Sequence, residues 1–215
     1  EDASFSDSLT ARGNSIFIRS NGSLNTIAQA NVGDIDIVTA GNLSVDDANA
    51  VGNIRLISLG GSAALNEIIA GNASFSGSST GITGQATTSA NGNIDVSAAR
   101  DVLINSTTNA ANALTITAGN LIDIQALATG TTINLSSSDI NISSAGQLGD
   151  FEQTNDIFIQ SNGTNQAILG GAGTTGIFSL NNDEFSRIQS NQDLTIFIAG
   201  TGSSTPDLIV QDLTV

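Results

Sequence analysis

The stretch Gly33-Asp34-Ile35-Asp36-Ile37-Val38-Thr39-Ala40-Gly41-Asn42-Leu43-Ser44-Val45 decides the fold. Ile35 and Ile37 alternate with Asp34 and Asp36, the period of a strand with one face buried. Ala40-Gly41-Asn42 then interrupts the alternation, and Leu43 and Val45 resume it. One unit is therefore strand, small turn, strand. Gly and Asn at the turn suit a left-handed backbone between strands that are not hairpin partners.

The same unit recurs on both sides. Ile16, Ile35 and Ile54 are each 19 residues apart. The next matching positions are Ala73, Ile94, Leu114, Ile133, Ile157, Ile177 and Ile196. A second apolar position follows about eight residues later: Leu24, Leu43, Val102, Ile122 and Phe185. Nowhere does a 3.6-residue apolar period persist, so essentially no α-helix is expected. A beat near 20 residues with two or three short strands per unit predicts an all-β, right-handed parallel β-helix of about ten coils. At the strand spacing of about 4.8 Å this is a rod roughly 50 Å long. The pairs Asn21-Gly22, Asn91-Gly92 and Asn162-Gly163 also permit an antiparallel hairpin reading, which explains the constant beat less well. The whole chain, 1–215, reads as one solenoid domain with irregular coils near 60–90 and 145–156.

Composition removes much chemistry. The 215 residues include no His, Cys, Met, Trp or Tyr, and all five basic residues are Arg. A Ser–His or Cys–His nucleophile, a thiolate, the common zinc sites and a P-loop lysine are all absent. The net charge of −15 disfavours nucleic acid and anionic membranes as partners. No apolar run reaches the length that spans a bilayer. Charged residues are only 12%, which separates the chain from disordered acidic tails.

Carboxylates are the remaining candidates for chemistry. Asp34/Asp36 and Asp46/Asp47 lie close in sequence, and glycoside hydrolysis needs two carboxyls about 5–10 Å apart. Asp36 and Asp95, however, alternate with Ile and face solvent, and no Trp or Tyr offers a sugar platform. No catalytic, cofactor-binding or metal-ligating residue is assigned. Calcium remains the one cation considered, through Asp stacked on adjacent coils. Gly170-Gly171-Ala172-Gly173 lacks the Asp of the calcium-binding nonapeptide. The Asn72-Ala73-Ser74 and Asn134-Leu135-Ser136 triplets read as turn and ladder residues. Thr131-Thr132 recurs at no fixed offset, against an ice-binding face. Arg55 fills the slot that Asp36 fills one coil earlier, about 5 Å away if the coils stack in register.

The pattern Gly-x-Ile-x-Ile/Val-x-Ala-Gly-x-Leu-x-Ile/Val at 33–45, looser at 92–104 and 113–124, resembles the coils of filamentous-haemagglutinin-type exoproteins. These are two-partner-secretion adhesins and their giant repeat relatives. Phe178 to Ile188, Leu194-Thr195-Ile196 and Asp207-Leu208-Ile209-Val210 resemble a coil type of the giant members. The N-terminus carries no secretion-domain motif, so the likeness is to the shaft. The resemblance implies an extracellular or cell-surface rod, without enzymatic activity, acting in adhesion, filaments or biofilm matrix. Its expected partners are further copies of itself, neighbouring coils of a longer chain, or a surface glycan. The alternative is a glycan-binding or glycan-cleaving β-helix of tailspike type. Both ends of the chain still alternate at Phe5 and Asp207–Val215, so open strand edges, and with them a filament or a continued shaft, are expected.

Overall fold

The computed structural model describes residues 9–70, 92–162, 166–171, 178–199 and 207–211. It is a parallel β-solenoid of about seven turns with a period near 20 residues. Strands of one sheet are Ile16–Ser20, Ile35–Thr39, Ile54–Ser58, Ile94–Ala98, Ala113–Ala118, Thr132–Ser137, Asp156–Ser161 and Leu194–Ile198. Each pairs in parallel with the next, without hairpins. The register puts Ile16 on Ile35, Ile35 on Ile54, Ile54 on Ile94, Ile94 on Leu114 and Leu114 on Ile133.

A second sheet closes the coil. It begins with Leu9–Gly13, followed by the long strands Leu24–Ala30, Leu43–Ala50 and Ala63–Ala70. Ala63–Ala70 then pairs with two short strands at once, Asp101–Ile104 and Thr108–Ala110. Later coils keep this division, as Leu121–Ile124 with Leu127–Thr129 and Asp139–Ile142 with Gln147–Leu148. Coils therefore change from two strands to three along the rod. A third, three-stranded sheet joins Gln166–Gly170 to Phe178–Leu180 and Asp207–Gln211.

The core is the stacked inward row. Ile37, Leu56, Val96, Ile116 and Ile159 are fully buried, as are Ile94, Leu114 and Ile133. Each such Ile or Leu contributes about 1.5–3 kcal/mol relative to exposure. The Thr39 and Ser58 hydroxyls at the buried strand ends both donate to the Gly41 carbonyl, at 3.0 and 2.7 Å. Side chains also lock coil to coil at the corners. Asp34 Oδ1 accepts from the Asn53 N–H (2.7 Å), Asn53 Oδ1 from Asn93 (3.1 Å) and Asn93 Oδ1 from Ala113 (3.1 Å). Such a ladder uses backbone donors that the turn would otherwise leave unpaired.

Several expectations need correction. The described residues form about seven turns, where about ten coils were expected for the chain. Ile54 pairs directly with Ile94, and Ile157 with Leu194; Ala73 and Ile177, counted as coils of their own, lie outside the described residues. Pairing depends on which strand lies alongside, so residues added at a corner need not add a coil. Eight rungs at about 4.8 Å span about 34 Å. Of the stretch expected to be irregular at 60–90, Ala63–Ala70 is a regular strand; 71–91 lies outside the described residues. In the stretch expected irregular at 145–156, only Gln147–Leu148 and the first residue of Asp156–Ser161 are strand. Phe185 is not a strand residue: Asn182–Phe185 forms a single helical turn. Asn181 caps it by accepting from the Glu184 N–H, while Glu184 accepts from the Asn181 N–H, a capping box that overrides the two-residue alternation.

The Ala-Gly-Asn corners are also built differently. Among the described glycines only Gly149, Gly170 and Gly171 have positive φ. At Gly119 a Cβ would instead collide with the Ala99 carbonyl oxygen of the coil below. Glycine is needed there because two backbones touch, not because of handedness.

Candidate functional site

The outward rows of the first sheet hold the most concentrated charge. Phe17, Asp36, Arg55 and Asp95 stand in register on four successive coils. Asp36 accepts from Arg55 Nη1 at 3.1 Å, as the stacking of these two positions predicts. It also accepts from Arg19 Nη2 at 2.7 Å, a partner the sequence reading missed. Arg19 lies opposite Val38 and reaches diagonally to Asp36, so slot matching alone does not pair them. Both guanidiniums are about half exposed, and each pair is worth about 0.2–1 kcal/mol. Phe17 is 70% exposed beside this charged strip.

The adjacent carboxylates do not act as pairs. Asp34 holds the Asn53 N–H, while Asp36 is occupied by the two arginines. Asp46 is the extra residue where the register shifts against Thr26 and Ile27, and it accepts from Asn66 Nδ2 at 3.0 Å. Asp47 accepts from Gln29 Nε2 at 3.0 Å. Burial raises the Asp47 pKa, with Gln29 and the Arg12 charge pulling it back. Among the described residues, no three acidic side chains converge as a metal site.

A groove of about 390 Å³ runs across three coils of the second sheet. Its rim carries Ser23, Asn42 and Ser62, with Asn25 and Ser44 beside Leu24. Ser23 Oγ accepts from the Asn42 N–H and Asn42 Oδ1 from the Ser62 N–H. Asn25 Oδ1 is buried without a hydrogen-bond partner. Nothing in the sequence pattern marks this groove, because Asn25 reads as one more ladder residue.

The most elaborate polar arrangement is at a sheet edge. Among the described residues Asp139–Ile142 pairs with Leu121–Ile124 on one side only. On the other side the segment around the helical turn supplies side chains where a strand would supply backbone. Glu184 Oε1 accepts from the Ile142 N–H at 3.2 Å, and Arg187 Nη1 donates to the Ile142 carbonyl at 3.0 Å. Asp139 Oδ1 accepts from the Ser179 N–H at 3.0 Å. Glu184 is only 6% exposed. Burial raises the pKa of both carboxyls, and the Asp139 charge raises that of Glu184 further. The resemblance of Phe178 to Ile188 to a coil of the giant adhesins implies one more coil here. The same residues act here as an edge cap.

No family model, curated protein or solved structure matches the chain.

Proposed function

We propose that the chain is a structural length of an extracellular β-solenoid rod, serving as shaft, filament or matrix material of a bacterial surface adhesin, without catalysis. The supporting observation is how the outward polar groups are used. Asp36, Asp46, Asp47, Asn53, Asn93 and Asn109 bind side chains or backbone of adjacent coils. Chemistry that would converge in an active site is distributed along the rod as register-keeping contacts. Expected partners are copies of itself or further coils. Among the described residues the Leu194–Ile198 strand pairs on one side only, with Leu194 and Phe197 exposed, and such an edge accepts another strand. Electron microscopy of the purified protein tests the reading, together with sedimentation across a salt series. Rods whose association strengthens as salt screens the charge support it. A compact monomer at every ionic strength refutes it.

A second reading is a glycan-binding β-helix, and one feature favours it. The groove beside Leu24 is lined by hydroxyls and amides, which suits a neutral, hydroxyl-bearing ligand. A screen against neutral oligosaccharides, repeated with Asn25→Ala, separates the two. Binding that the substitution abolishes supports the second reading.

A further inference from the structure

We propose that Phe178–Ile188 is a plug that closes one edge of the second sheet, and that its seat tightens when the carboxyls at the joint, Glu184 of the plug and Asp139 of the strand, take up a proton. Among the described residues Asp139–Ile142 is the last strand of its ladder, so the N–H and C=O groups of Ile140 and Ile142 point away from the sheet. Open edges of this kind recruit other strands. The plug fills that edge with Glu184, Arg187 and the backbone of Ser179. At the same time it brings Glu184 close to Asp139 under little water. Among the described residues Arg187 is the cation beside Glu184, and its Nη1 is given to the Ile142 carbonyl. Asp183 on the same turn is exposed. Gln166–Gly170, packed against the turn, brings no ionisable side chain.

Two carboxylates in one desolvated joint repel each other, and a proton relieves that repulsion. The docked plug therefore binds protons more readily than the undocked one. Docking is strongest at and below the ordinary carboxylate range and weakens as pH rises through the raised values. Opening uncovers the Ile140 and Ile142 edge to strand addition.

Amide exchange, corrected for intrinsic rates, tests this at Ile142, with Ile116 in the central core as the control for global opening. Between about pH 7.5 and about pH 4, the ordinary carboxylate range, Ile142 protection should rise several-fold while Ile116 stays constant. Glu184→Gln keeps a carbonyl acceptor without the charge. It should hold Ile142 protected at both pH values and flatten the ratio. The proposal is overturned by equal protection of Ile142 at both pH values in the wild type. An unchanged ratio in Glu184→Gln also overturns it, as does parallel movement of Ile116. A merely structural contact would weaken on substitution without changing the pH profile.

Discussion

The middle of the rod and its last rung carry the same alternation but not the same burial. In the middle, Val96, Ile116 and Leu135 are covered by coils above and below and are at most 1% exposed. In the last rung, Ile196 and Ile198 continue the row yet are only partly buried, and Phe197 is 51% exposed. A rung in a solenoid is buried by its neighbours, so an identical pattern has different energetic weight at different heights. The spacing differs as well. The strands from Ile16 to Ile54 step by 19 residues, whereas Ile157 is followed in its row by Leu194, after two strands of the third sheet and the capping segment have been inserted. Insertion is tolerated because each strand needs only its two spatial neighbours.

The largest test of this contrast places a charge in each region. Ile94→Asp should unfold several coils, losing roughly 3–5 kcal/mol, because the carboxylate has neither water nor partner. Ile196→Asp should cost far less, since water reaches that rung. Thermal unfolding followed by circular dichroism measures both, and equal losses would break the comparison. Next comes the corner contact. Gly119→Val should cost about 1–3 kcal/mol, because the Ala99 carbonyl cannot move aside. Gly22→Val, where a Cβ meets nothing within 4 Å, should fall within about 0.5 kcal/mol of the parent in denaturant titration.

A smaller effect concerns Asp47. Its raised pKa means that its contribution is fully present below the ordinary carboxylate range and is lost as pH rises through the raised value. Asp47→Asn keeps an acceptor for Gln29 and removes the charge. Its stability relative to wild type should therefore grow with rising pH, read as a difference in melting temperature at a series of pH values. A difference that shrinks as pH rises contradicts the burial argument. The smallest effect belongs to Asp36→Asn, which loosens Arg19 and Arg55 on the exposed face. It should cost about 0.2–1 kcal/mol, and less in high salt.

Much of the fold was legible in the residues themselves. Two-residue alternation at 33–45 and its repeat at 16, 54, 94, 114 and 133 state strand, inward face and parallel stacking, because β-branched side chains must be buried on one side of every strand. The Asp36–Arg55 contact was legible for the same reason, as equal positions on successive coils. Three things were decided only by the tertiary structure. The number of turns depends on which strands meet after an insertion, and sequence distance does not encode that. Asp36 gained Arg19 by a diagonal reach that exists only once two coils are stacked. The segment with Glu184 and Arg187 has the period of a coil, but a local capping box and an open sheet edge turned it into a cap. Alternation is a property of the chain alone, whereas an unpaired edge and the side chains that satisfy it exist only after the coils have been stacked.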